Sequence, residues 1–137
     1  MQTTYPKART KFLKGDIAWE SDTFKAVAMD ASYTYSAGHE FEDDLDGILG
    51  SVNLSGEVAL DYGWADAADP TITGMTPGLT VARFAIVRVV GSAATNDLIW
   101  YADTYANTTA IGRLVDSSGS MTFSFSNGTG RIFQLGS

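Results

Sequence analysis

The chain has 137 residues, nine Lys and Arg against sixteen Asp and Glu, and no cysteine. That length suits one domain with its own core, and the missing thiol excludes disulfides, thiol catalysis and cysteine-held zinc or iron–sulfur centres. A net charge of −7 argues against nucleic-acid binding, which needs clustered cations, and a hydrophobic share of 45% argues against disorder.

The first fourteen residues carry Lys7, Arg9, Lys11 and Lys14 and no acid. Met1 to Pro6 lacks the apolar stretch of a signal peptide, so no secretory leader is expected. Pro6 fits a first helical turn, residues 7–14 hold no breaker, and Gly15 can stop the helix. A short helix is predicted there, with Phe12 and Leu13 as its buried contacts. Residues 1–22 thus form an arm with a helical segment, and a short, polar, terminal arm is expected to gain its order from a partner. The β domain is expected to span 23–137.

Phe24-Lys25-Ala26-Val27-Ala28-Met29 is short and apolar on both faces, the mark of a covered strand. His39 to Leu45 suits a short helical turn before Gly47, and Glu40, Glu42, Asp43, Asp44 and Asp46 crowd there. A strand is predicted from Leu54 to Tyr62, with Leu54, Val58 and Leu60 on one face. Gly63 to Gly78 reads as a loop with a short strand at Thr71-Ile72-Thr73. Residues 79–90 alternate, interrupted by Arg83 and Arg88; each can pair with a carboxylate or reach the rim, and the rim is favoured because of their long stems. Those arginines also leave the longest apolar run too broken to span a membrane.

Leu98 to Asp103 is rich in β-formers, and Ile111 to Val115 adds a further strand. A hairpin closes the chain, with Met121 to Ser126 and Arg131 to Leu135 flanking Asn127-Gly128-Thr129-Gly130. Six to eight short antiparallel strands at this spacing predict a single all-β domain over 1–137. It would be a β-sandwich or jelly-roll-like fold with a short N-terminal arm and helix.

Chemistry is sparse. His39 is the one histidine, no serine lies in a Gly-x-Ser-x-Gly elbow, and no Gly-Lys-Ser or Gly-Lys-Thr follows a glycine loop. Glu42, Asp44, Asp46 and Gly47 echo a calcium loop, but Asn53 stands where a bidentate carboxylate is needed. No enzyme, cofactor or metal site is expected. The basic arm and the acidic loop suit electrostatic docking to a partner or to another copy, against the alternative of two solvated surface features. The candidate contact residues are Lys7, Arg9, Lys11, Lys14, Glu40, Glu42, Asp43 and Asp44.

From Lys11 to Leu45 one order of residues stands out. Phe12-Leu13-Lys14-Gly15-Asp16-Ile17 is followed by Trp19, by Asp22-Thr23-Phe24-Lys25-Ala26-Val27, by Tyr33-Thr34-Tyr35 and by His39-Glu40-Phe41-Glu42-Asp43-Asp44-Leu45. Trp100-Tyr101-Ala102-Asp103 and the Phe-x-Phe run before Asn127 add to the pattern. The chain resembles a family of small tailed-bacteriophage structural proteins, some of which are head decoration (cement) proteins. That resemblance implies a virion protein, made in the host cytoplasm, that binds the outer surface of the head shell and stabilises it. Its partners would be the phage major capsid protein and other copies of itself, as a dimer or trimer, with no nucleic acid and no membrane. The other reading is a tail- or fibre-associated module that binds a host glycan through Trp19, Trp64, Trp100, Tyr62 and Tyr101.

Overall fold

A run such as Phe24–Met29, apolar on both faces except at Lys25, is stable only in the middle of a sheet covered on both sides. The computed structural model, which describes residues 1–105, 110–125 and 132–135, places it there. In chain order the elements are β1 (Gln2–Thr4), α1 (Pro6–Leu13), β2 (Phe24–Met29), β3 (Ile48–Asn53), β4 (Val58–Leu60), β5 (Trp64–Asp66) and β6 (Thr71–Ile72). There follow β7 (Thr80–Val81), β8 (Arg83–Arg88), β9 (Asp97–Ala102), β10 (Arg113–Leu114), β11 (Met121–Thr122) and β12 (Phe133–Gln134). The main sheet has the order β1-β9-β8-β2-β3, antiparallel at every step. Smaller antiparallel sheets, β12-β5-β4, β11-β6 and β10-β7, complete an all-β architecture with one α-helix among the described residues.

The two faces of the main sheet carry different aromatic clusters. Ile86 faces Trp100 across the β8–β9 ladder, and the next pair along is Ala85 with Tyr101. Successive residues point to opposite faces, so Trp100 and Tyr101 feed separate cores. On one face Phe84 stacks on Phe123 at 4.0 Å between ring centroids, with Trp100 and Phe125 edge-on around them. On the other face Tyr101 packs against Tyr33 and Tyr35, and Tyr35 against Tyr5. Such contacts each add about 0.5–1.5 kcal/mol beyond area burial.

The N-terminal segment is part of this core and is ordered by it. β1 pairs with β9, the Tyr5 N–H donates to the Ile99 carbonyl at 2.9 Å, and Tyr5 and Ala8 are buried. Helix α1 starts at Pro6 and ends at Leu13, with Lys14 as its C-cap and Gly15 next in the left-handed region at φ 78°, as the sequence predicts. Its inward residue is Ala8; Phe12 is half-buried, and Leu13 is 89% exposed rather than buried. An eight-residue helix on a sheet presents one narrow stripe, and Leu13 falls outside it.

Other expectations shift. The strand read over Leu54 to Tyr62 is divided: β3 ends at Asn53, Leu54 is buried beyond it, and β4 is exposed along its length. β3 starts just after Gly47, whose φ is 66° and whose Cβ, were there one, would lie 2.0 Å from Asp30 Oδ1. Only glycine permits that turn. Among the described residues of the expected closing hairpin, β11 pairs with β6 and β12 with β5 rather than with each other. Phe123 and Phe125 belong to the Phe84 cluster, whereas Phe133 packs on Trp19 and Phe12, so the two segments serve different cores. The expected turn residues Asn127 to Gly130 lie outside the described residues.

Deleting residues 1–5 removes an edge strand and a fully buried tyrosine. The expected loss is at least about 3 kcal/mol, the scale of emptying an aromatic core site, read as a lower urea midpoint. An unchanged midpoint would show that the segment only rests on the sheet.

Candidate functional site

Charge gathers at one end of the main sheet. Arg88, the last residue of β8, is the direct cross-strand neighbour of Asp97, the first of β9. Its Nη1 donates to Asp97 Oδ2 at 3.0 Å, and its Nε lies 3.0 Å from Asp22 Oδ2 just before β2. Lys11 reaches from the last turn of α1 to the other oxygen of Asp97 and to Glu40 Oε2, the latter at 2.9 Å. Lys7, one turn earlier on the same helix face, lies 3.2 Å from Glu40 Oε1. Lys7, Glu40, Lys11, Asp97, Arg88 and Asp22 thus alternate in sign along one continuous belt.

A second pair lies beside it. Glu42 is buried, with Lys25 at 2.8 Å and the Asn96 amide donating at 2.8 Å. The Asn96 side-chain oxygen in turn accepts the Val90 and Gly91 N–H groups, which fixes the β8–β9 connection. Asp44 closes the 3-10 turn over Glu42–Asp44 by accepting the N–H of Glu40 at 2.8 Å and of Phe41 at 3.2 Å. Burial opposes charge on Lys11, but hydrogen bonds to Asp97 and Glu40 outweigh it and hold the ammonium above its ordinary range. The hydrogen bond from Lys11 likewise holds Glu40 below the usual carboxylate range, and the backbone bond from Glu40 does the same for Asp44.

The eight candidate contact residues therefore divide. Lys7, Lys11 and Glu40 meet in the belt and line a cleft of about 280 Å³ with Thr10, Lys14 and Asp16. Glu42 and Asp44 turn to structural partners, so the calcium-like spacing does not converge on one point. Arg9 donates to the Thr4 carbonyl at 3.1 Å, while Lys14 and Asp43 stand exposed. Sequence reading did not single out Asp97, Asp22, Lys25 or Asn96; for Arg88 it favoured the rim over a carboxylate partner, and the structure gives it two carboxylates. A signal existed: Arg88 and Asp97 bracket a turn-rich connection, where strand ends meet.

An apolar cleft of about 140 Å³ lies elsewhere, between Phe12, Trp19, Trp64, Ala65, Phe133 and Leu135. Trp19 donates its indole N–H to the carbonyls of Val58 and Asp66 at 3.0 and 3.1 Å, fastening β4 and β5 to the cleft floor. The Glu20 carboxylate accepts the Ala59 N–H at 2.9 Å and occupies the open edge of β4. Leu13, Val58, Leu60 and Tyr62, chain neighbours of cleft residues, are exposed, Tyr62 by 87%. Tyr62 also adopts φ 66°, a left-handed backbone that costs a non-glycine residue about 1 kcal/mol or more. Of the aromatic residues expected to bind a glycan, Trp19, Trp100 and Tyr101 are buried in the core.

Compared with family models, with curated proteins and with solved structures, the chain matches none.

Replacing Lys11 with Met should cost about 1–3 kcal/mol near neutrality, because Asp97 keeps only Arg88 and Glu40 only Lys7. The pH dependence has a definite sign. Glu40 is held low, so its contribution is complete above its unfolded value, about 4.3, and disappears as pH falls through its folded value. Urea unfolding should show the gap between wild type and Lys11→Met shrinking toward about pH 3. A gap independent of pH would remove Glu40 from the account.

Proposed function

We propose that the chain is a bacteriophage head decoration protein that binds the outer surface of the shell and stabilises it. The observation that carries this reading is the open apolar Phe12–Trp19–Trp64–Phe133 cleft, together with the exposure of Leu13, Leu60 and Tyr62, which adjoin its lining residues in the chain. Contiguous apolar surface of this kind marks a contact with another macromolecule. The resemblance from Lys11 to Leu45 supplies the kind of partner, the phage major capsid protein, with further copies of the chain beside it. The same reading takes the doubly covered central sheet as one layer of a β-sandwich.

The work of such a protein is thermodynamic. A ligand that binds the assembled shell and not its free subunits shifts the equilibrium toward assembly by mass action. Because Lys7 and Lys11 already face Glu40 and Asp97, anchorage falls to apolar burial, and Lys14 and Asp43 are left to steer approach. Binding to shells should therefore weaken only slightly with salt.

A second reading, a tail or fibre module for a host glycan, rests on Tyr62, whose ring is held outward on a strained backbone beside half-buried Trp64. Binding on a glycan array that is lost in Tyr62→Ala would favour it.

Mass spectrometry of purified virions tests the decoration reading directly. Copies in the hundreds are expected, and a handful or none would overturn it. In co-sedimentation with empty shells, Leu60→Asp should lower affinity about tenfold or more, as loss of an apolar contact at the centre of an interface does.

A further inference from the structure

The one histidine of the chain ends a buried chain of hydroxyl groups. The Tyr5 and Tyr33 hydroxyl oxygens are 2.8 Å apart, and the Tyr33 hydroxyl is 2.7 Å from His39 Nδ1. Tyr5 and Tyr33 are buried, and His39 is half-exposed. Among the described residues Tyr33 is the hydrogen-bond partner of the Tyr5 hydroxyl. The donors can then be ordered in one fully satisfied way: Tyr5 donates to Tyr33, Tyr33 donates to Nδ1, and the imidazole carries its proton on Nε2. This order requires neutral His39, because a protonated ring has no acceptor.

We propose that His39, Tyr33 and Tyr5 form a proton-responsive latch, in which protonation of the His39 ring releases the junction between β1 and α1 from the sheet. A proton on Nδ1 makes that nitrogen a donor. The Tyr33 hydroxyl must then turn toward Tyr5, and the Tyr5 hydrogen is left in the core with no acceptor. Tyr5 is the residue between β1 and α1, with its N–H on the Ile99 carbonyl, so the mismatch falls where the N-terminal segment enters the main sheet.

The surrounding charges act in both directions. Glu40 precedes the 3-10 turn, Asp44 lies within it and Asp46 follows, so three carboxylates lie on the segment that follows His39. Lys7 on α1 opposes them, and its charge is already shared with Glu40. From the sheet side, Arg83 donates to the Tyr33 carbonyl, and the Tyr101 hydroxyl donates to Asp103 rather than to the chain. Tyr35 adds ring contacts to Tyr5 and Tyr101. Burial raises the Tyr5 and Tyr33 hydroxyls above the phenol range, so both keep their protons throughout. Half-buried or exposed carboxylates such as these contribute about 1 kcal/mol at most, whereas a buried donor without an acceptor costs about 1–3 kcal/mol. The orphaned hydroxyl decides the sign.

The test is urea unfolding of the full chain at about pH 7 and about pH 5.5, a window that spans the ordinary imidazole range. Glu40 and Asp44, held low, stay ionised across it. For wild type the unfolding constant should rise about fivefold on acidification, within the limit of about tenfold that one histidine can supply here. Tyr33→Phe disconnects the ring from Tyr5, so its unfolding constant should be higher at both pH values and flat or falling on acidification. His39→Gln, without a titrating ring, should be flat, and it decides the matter alone if Tyr33→Phe does not fold. Hydrogen exchange at the Tyr5 amide, corrected for intrinsic rates, should accelerate on acidification in wild type only. A flat wild type, or a wild-type response retained in His39→Gln, would overturn the latch.

Discussion

A sheet whose three central strands are apolar on both faces must be covered twice, and most of this structure follows from that requirement. β2, β8 and β9 have no solvent face. On one side Phe123 and Phe125 close over Phe84 and Trp100; on the other Tyr5, Tyr33 and Tyr35 close over Tyr101. The short sheets around them bring covering residues into place. β6 and β11 hold Ile72 and Met121 buried, and β5 and β12 carry Ala65 and Phe133. Neither a two-residue strand pair nor an eight-residue helix is stable alone, so the covers depend on the sheet as much as it depends on them.

Covering the tyrosine face draws in the N-terminal segment, and the charge belt comes with it. Once α1 lies against β9, Lys7 and Lys11 approach Glu40 and Asp97, and Arg88 already faces Asp97 across the ladder. Asp97 is nearly buried, with a side chain 7% exposed. A carboxylate in that position is tolerable only with firm cationic partners, and it has one from the helix and one from the sheet. The sequence pattern of a basic arm and an acidic loop is thus accounted for within the chain. Most of its members are attached to the N-terminal fold, whereas Lys14, Asp43 and Asp46 stand exposed.

The legible parts of the sequence were those where one local signal met no rival. β2 has the bounds its apolar run suggests, and α1 is bracketed by Pro6 and Gly15 as the residues require. β9 differs by one residue from the run Leu98 to Asp103. β3 was hidden because it is an outer strand. Gly50 and Ser51 interrupt its apolar content, and Gly50 is needed where a Cβ would lie 2.7 Å from the Met75 side chain. The pairing of β11 and β12 was hidden for another reason. Local alternation identifies strands, but the partner is chosen by which core each phenylalanine fills. The belt was half legible: Lys7, Lys11 and Glu40 belong to charge clusters in the sequence, whereas Asp97, Arg88 and Asp22 become neighbours only through the register of β8 with β9 and β2.

The two polar systems around the N-terminal segment differ in what they resist. The belt combines several charges of both signs, so losing one partner leaves the others in place, and Glu40, held low by Lys11, changes state only well below neutrality. The hydroxyl chain from Tyr5 to His39 has no such redundancy: each hydroxyl has one hydrogen, and its direction is set by a single ring nitrogen. Both fasten the same helix–strand junction, one through exposed and half-buried ions, the other through buried neutral groups. Near neutrality they act together, and between there and the acid range the belt holds while the chain must reverse. Attachment of α1 can therefore loosen at Tyr5 while Lys7 and Lys11 stay on Glu40 and Asp97. Such a release would be a pivot about the belt rather than detachment of the segment, and it would change the apolar cleft through Phe12, the α1 residue that lines it.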